Sequence, residues 1–183
     1  MSIKINLKDI SYRAISENDT NLISNFRSYE KELSDFLIED AINNQLAGIS
    51  RTYLFFNKTE LAGYVTLLND SLRLDENLIE FFKNKDILYK TLPAIKVGRL
   101  AVHDNYLRKG LGTIMLMLSY TVAKSICDKK CGCRFIVLDA KRNKDPEKDP
   151  IHFYKKLNFK ILKERTKGTT LMYFDIKLNE KFI

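Results

Sequence analysis

Tryptophan is absent from this sequence, histidine occurs twice, and there are only 3 prolines and 7 glycines in 183 residues. Long apolar stretches are absent as well. The longest uninterrupted run spans only 114–118, far short of the roughly 20 residues that cross a bilayer. A membrane-spanning helix is therefore excluded. The first seven residues alternate polar and apolar side chains, without the apolar run of a signal peptide, so a cytoplasmic location is expected. The three cysteines, Cys127, Cys131 and Cys133, are odd in number and clustered. A structural zinc site needs four ligands at regular spacing, and only His103 and His152 could add to the three. Reduced thiols without a metal are the expected state in that compartment.

The composition that remains is that of a folded globule, 45% hydrophobic and 30% charged. The length suits a single domain over 1–183. No repeat, low-complexity stretch or interdomain linker interrupts it. The net charge of +8 is unevenly spread. Residues 1–50 hold 5 Lys/Arg against 8 Asp/Glu, whereas residues 141–170 hold 10 against 4. A basic surface of that kind attracts nucleic acid, the phosphates of a cofactor or an acidic partner. It is also what a plain solvated lysine face looks like.

Strand-like and helix-like segments alternate, which argues for an α/β or α+β domain. Strands are expected at 11–15, 52–56, 61–68, 94–102, 134–140, 159–162 and 170–177, the second and third joined as a hairpin by Asn57-Lys58-Thr59-Glu60. Helices are expected at 19–27, 30–47, 111–126 and 150–157. Leu33, Phe36, Leu37 and Ala41 mark the buried face of the second helix. Asp149 and Pro150 open the last one. The stretch 70–92 is irregular and reads as a short helix or covering loop, punctuated by Pro93.

The most informative segment is Val97-Gly98-Arg99-Leu100-Ala101-Val102, followed by Arg108-Lys109-Gly110-Leu111-Gly112-Thr113. A strand passes through a tight turn into a helix. The first amides of that helix lack intrahelical acceptors and, with the helix dipole, favour an anion. Arg108 and Lys109 add positive charge beside them. By itself Gly-x-Gly is also what any tight strand-to-helix turn uses. The dinucleotide fingerprint fails, because Met115 stands where a third glycine belongs, and the Walker lysine is missing.

These residues resemble the coenzyme A site of the GNAT N-acetyltransferase superfamily, whose motif is Gln/Arg-x-x-Gly-x-Gly/Ala. Gly110 and Gly112 match, while Leu107 stands at the Gln/Arg position. The resemblance extends to Phe153-Tyr154-Lys155-Lys156-Leu157-Asn158-Phe159, similar to a Phe-Tyr-x-x-x-Gly-Phe segment with Asn158 for glycine. Asn is the next-best residue for a left-handed helix end. It covers most of 50–178. It implies a mixed, mostly antiparallel α+β sheet of about six to seven strands flanked by helices, with a splay between strands 94–102 and 134–140. The run 32–52 and Gly98-Arg99-Leu100-Ala101-Val102 further resemble the branch that holds toxins acetylating aminoacyl-tRNA.

The resemblance implies an acetyl-CoA-dependent N-acetyltransferase in which a primary amine attacks directly in a ternary complex. Leu100, Ala101 and Val102 fall where the family pairs its backbone with the acetyl group and pantetheine arm. Arg108, Lys109, Gly110, Leu111, Gly112 and Thr113 fall at the pyrophosphate. Tyr154, an aromatic core residue by spacing alone, is implied as the acid that protonates the departing thiolate. A tyrosine near pKa 10 can supply a proton to a thiol near about 8.5. Arg99 either faces the substrate or pairs with a carboxylate across the sheet. No carboxylate lies in 94–102 to act as base; Asp139, Glu60 and His103 are the alternatives. A lysine amine near about 10.4 needs such a base far more than an α-amine near about 8. The acceptor is thus a small-molecule, peptide or protein amine, or else the α-amine of aminoacyl-tRNA in a toxin–antitoxin setting. A non-catalytic coenzyme A-binding module is the third reading. The resemblance admits a homodimer and implies no membrane partner.

Overall fold

The computed structural model describes residues 5–143, 149–163 and 168–178. Much of the expected charged loop at 141–149, part of the basic 141–170 region and residues 1–4 lie outside the described residues. Seven strands form one mixed sheet in the order β1-β2-β3-β4-β5-β7-β6. They are β1 (Ile10–Ala14), β2 (Arg51–Asn57), β3 (Glu60–Arg73), β4 (Thr91–Val102), β5 (Phe135–Lys141), β6 (Lys160–Lys163) and β7 (Thr169–Asp175). The pairs β1–β2, β2–β3, β5–β7 and β6–β7 are antiparallel. The connection from β4 to β5 runs through a 19-residue helix, the kind of crossover a parallel pair requires. The helices are α1 (Thr20–Ile23), α2 (Lys31–Asp35), α3 (Ala41–Leu46), α4 (Glu76–Lys83), α5 (Leu111–Lys129) and α6 (Ile151–Lys156).

The chain divides into two compact units, one of Met1–Leu68 and Val97–Ser119, the other of Asn69–Lys96 and Tyr120–Ile183. In the first unit, Ile15, Ile23, Phe26, Leu37, Ala41, Leu54, Tyr64 and Ala101 form the core, with Leu33 and Phe36 packed against it. The expected helix 30–47 is real but interrupted: Phe36–Asp40 is a π-helical segment joining α2 to α3. The expected helix 19–27 shortens to α1, and Asp19, just ahead of it, turns its carboxylate back on the chain. It accepts from the Ser16 N–H at 2.7 Å and from the Arg13 guanidinium at 2.5 and 2.7 Å. The hairpin forms as expected, Asn57 pairing with Glu60 and Lys58 taking φ +56°.

In the second unit, Leu72, Leu74, Phe82, Ala94, Phe135 and Val137 form a separate cluster. Two expectations are corrected here. The third strand does not end at 68 but continues to Arg73, and its polar Asn69-Asp70-Ser71 stretch is exposed while Leu72 returns to the core. Pro93 does not precede β4 but lies within it; its carbonyl accepts from the Arg134 N–H at 2.8 Å, a bond that needs no donor from proline. Helix α4 is opened by Asp75, whose carboxylate accepts from the Leu78 N–H at 2.9 Å. The Arg134 guanidinium lies 5.0 Å from the Phe82 ring and bonds Asp175 at 2.8 Å. Of the described residues, no helix is long and apolar enough to cross a membrane.

Candidate active site

The turn from β4 into α5 is shaped by two residues with left-handed backbone. Gly110 has φ +91° and Arg108 has φ +58°. An added Cβ at Gly110 would meet nothing within 4 Å, so glycine is required there by conformation and not by space. The Thr113 and Ile114 N–H groups both turn back onto the Gly110 carbonyl, at 3.1 and 3.4 Å. The N–H groups of Leu111 and Gly112 have no acceptor among the described residues. Two amides without acceptors at the positive end of a 19-residue helix are an arrangement that favours an anion.

The turn is braced from below. The Tyr106 hydroxyl donates to the Glu60 carboxylate at the start of β3. Tyr106 is itself buried. Lys109 lies over the Tyr106 ring, 5.4 Å from its centroid, and its Nζ donates to the Asn105 carbonyl at 2.7 Å. The Lys109 charge beside the turn is therefore held against the protein, while Arg108 is exposed. Leu107, at the position where the motif has Gln or Arg, is exposed. Gly63 of β3 sets how closely α5 approaches the sheet: a Cβ there would lie 2.6 Å from the Ala101 carbonyl oxygen and nearer still to Met115.

Arg99 pairs with no carboxylate among the described residues. It is exposed, donates to the Gly98 carbonyl at 2.8 Å, and places its guanidinium 5.1 Å from the centroid of the Phe36 ring. Phe36 stacks on Tyr64 with centroids 6.3 Å apart, and the Tyr64 hydroxyl donates to the Leu33 carbonyl at 2.6 Å. Burial raises the Tyr64 phenol far above its ordinary range, with the Arg99 charge pulling weakly the other way. From the sequence, Phe36 reads only as part of a buried helix face and Tyr64 only as part of a strand. Their service as a platform for Arg99 carries no sequence signal, since the contact joins separate elements.

The family model for the acetyltransferase (GNAT) family matches residues 20–159. The chain belongs to the GNAT acetyltransferase family. It is an N-acetyltransferase with acetyl-CoA as co-substrate. Among solved structures, the fold is similar to that of AtaT complexed with acetyl-methionyl-tRNAfMet, with a TM-score of 0.74 and 21% identity over 94% of this chain and 98% of that one. It is also similar to a tyrosine-to-phenylalanine mutant of KacT, with a TM-score of 0.77 and 21% identity over 96% and 99%. A third likeness is to AtaTR bound with AcCoA, with a TM-score of 0.74 and 24% identity over 95% and 98%.

In this acetyltransferase Tyr154 lies on α6, whose first N–H is capped by Asp149. The Ile151 N–H donates to the Asp149 carboxylate at 3.0 Å, and Arg142 holds its other oxygen at 2.8 Å. The helix ends on Asn158, in the left-handed conformation expected of it, at φ +63°. The half-buried Tyr154 ring lies between Phe153 and Phe159, with centroids 5.1 and 5.8 Å away. Its hydroxyl has no partner among the described residues. Burial pushes the phenol up to about 12, so the proton is retained at any working pH. Each of the three candidate bases makes one polar side-chain contact, and Asp139 keeps its second oxygen without a partner among the described residues. Glu60 accepts from Tyr106, Asp139 binds Lys96 at 2.7 Å, and Nδ1 of His103 accepts from the Asn105 N–H at 3.2 Å.

Proposed function

We propose that this acetyltransferase moves the acetyl group of acetyl-CoA, by direct attack in a ternary complex, to the α-amine of aminoacyl-tRNA. On this reading residues 1–183 work as one domain. The pyrophosphate rests on the amides of Leu111 and Gly112, with Thr113 beside them, Gly110 shaping the turn and Arg108 and Lys109 setting its charge. The acetyl carbonyl and pantetheine arm pair with the backbone of Leu100, Ala101 and Val102. The amine nitrogen attacks the thioester carbonyl carbon, the carbon–sulfur bond breaks, and Tyr154 gives its proton to the departing thiolate. Arg99, held on Phe36, faces the acceptor.

The observation that carries the choice of acceptor is that the Glu60 carboxylate and Nδ1 of His103 already accept from Tyr106 and Asn105, and that Asp139 is ion-paired with Lys96. An amine that must lose a proton with only an ion-paired carboxylate to help should have a low pKa. An α-amine near about 8 meets that need and a lysine near about 10.4 does not. The likeness to AtaT in complex with acetyl-methionyl-tRNAfMet supports the same acceptor, and that to AtaT bound to the C-terminus of the antitoxin AtaR supports a toxin–antitoxin role.

The test is to incubate the protein with acetyl-CoA and a cell extract containing charged tRNA, then identify acetylated products by mass spectrometry. N-acetyl-aminoacyl-tRNA is the expected product. An acetylated metabolite or peptide alongside unmodified charged tRNA would remove the tRNA acceptor and leave the transferase.

A further inference from the structure

The second compact unit holds a cavity of about 520 Å³ that the proposed cofactor contacts leave unused. Leu74, Leu162 and Leu171 give it an apolar lining, and Arg73, Asp75, Asp139 and Lys163 a charged one. We infer that this cavity receives the aminoacyl end of the acceptor, with Asp139 accepting a hydrogen bond from the α-amine, the leucines holding an aliphatic side chain, and Arg73 and Lys163 facing the anionic backbone of the nucleotide. The inference rests on the aminoacyl-tRNA reading for the identity of the ligand.

Charge is the first reason. Lys96 bridges two carboxylates, Asp139 at 2.7 Å and Asp70 at 3.7 Å. This trio carries one surplus negative charge, which one ammonium group neutralises. Asp139 spends only Oδ2 on Lys96. The side chain is 40% exposed, and its other oxygen has no partner among the described residues. Burial works against the Lys96 charge, but the hydrogen bond and charge of Asp139, with Asp70 behind them, outweigh it, and the lysine pKa rises. Lys96 is therefore a fixed cation that orients Asp139, not a base. It also lies on β4, the strand that carries Leu100, Ala101 and Val102.

The remaining lining fits the rest of the ligand. Asp75 is committed through one oxygen to the cap of α4 and forms a rigid wall. Arg73 and Lys163 are exposed and have no ion pair among the described residues. Unpaired cations beside an apolar pocket are what a phosphodiester attached to an apolar group needs. The volume lies within the range of about 300–1,000 Å³ typical of small-molecule sites, enough for an amino-acid side chain and part of the sugar that carries it.

The test uses leucinamide, which keeps the amine and the side chain and discards the tRNA. Titrated into the full chain by NMR, it should shift the backbone resonances of Leu162 and Leu171. N-acetyl-leucinamide, which lacks the basic nitrogen, should bind about tenfold more weakly or worse, as should leucinamide to Asp139→Asn, since each loses a charge-assisted hydrogen bond. Leu162→Phe, on edge strand β6, fills the cavity without touching Asp139; it should abolish the shifts while leaving acetyl-CoA affinity unchanged. The inference is overturned if leucinamide moves no cavity resonance, if Leu162→Phe binds it as the parent does, or if acetylating the amine makes no difference. A protein that acetylates charged tRNA yet ignores leucinamide here loses this site and keeps its function. One that binds leucinamide here but leaves charged tRNA unmodified loses the tRNA reading and keeps an amine site.

Discussion

The Tyr154 ring lies between two phenyl rings, and its hydroxyl has no partner among the described residues. The residue is half-buried, so a hydroxyl without a protein partner is left available to a bound ligand. Removing only the oxygen, with Tyr154→Phe, keeps the ring packing. The variant should bind acetyl-CoA as the parent does by calorimetry, yet lose turnover by about 10²-fold or more, the usual scale of general acid catalysis. Full turnover in that variant would remove Tyr154 from the chemistry. The pH profile gives a second check. A phenol pushed up to about 12 delivers its proton below that value and fails above it, so kcat should show no falling limb from Tyr154 between about pH 8 and 10. Asp19 offers a residue-scale prediction on stability. The hydrogen bond from Arg13, opposed by burial and helped by Ser16, holds its carboxyl at about 2 against an ordinary 3.8. A depressed carboxyl pKa contributes stability that is present above the unfolded value and is lost as pH falls through the folded one. The urea midpoint should therefore drop between about pH 4 and 2, and Asp19→Asn should flatten that part of the curve.

Among the elements, the β4–α5 turn depends on backbone conformation and the β3–α5 contact on space, and two glycines separate these causes. Gly110→Ala meets no neighbour but forces a Cβ into φ +91°. A cost of about 1–3 kcal/mol follows, with weaker acetyl-CoA binding, because the turn relaxes where the free amides are presented. Gly63→Ala meets the Ala101 carbonyl oxygen, which is backbone and cannot swing aside. It should lower Tm more than Gly110→Ala, measured calorimetrically on both variants. These elements were legible to different degrees. The glycine turn, the hairpin and the left-handed Asn158 each follow from local residue chemistry, which is why they stand where the sequence places them. The extension of β3 through Asn69-Asp70-Ser71 was hidden, because three polar residues in a row look like a loop unless Lys96 is known to lie near Asp70. The π-helical segment was hidden too, since Leu33, Phe36, Leu37 and Ala41 suit an unbroken helix equally well. The perch of Arg99 on Phe36 and the cavity beside Asp139 depend on contacts between distant segments, which no local pattern encodes.

At the scale of the whole molecule the informative quantity is charge. The chain carries +8, and residues 141–170 alone hold 10 Lys/Arg against 4 Asp/Glu. A nucleic-acid acceptor must release counterions when its phosphates meet such a surface, so binding falls steeply with salt. With about six phosphates neutralised, affinity for charged tRNA should fall on the order of 10³-fold between roughly 50 and 200 mM salt. Acetyl-CoA also carries phosphates, but only a few of them, and its affinity should decline far less over the same range. Leucinamide carries none, so its binding should be almost flat apart from screening of the Asp139 contact. Measuring all three ligands on the same preparation removes the ambiguity of a general salt effect on the fold. A steep slope for tRNA beside a shallow one for acetyl-CoA is what an enzyme built for a polyanionic acceptor must show. Equal slopes would mean that the basic region is an ordinary solvated surface, and the acceptor would then have to be a small amine.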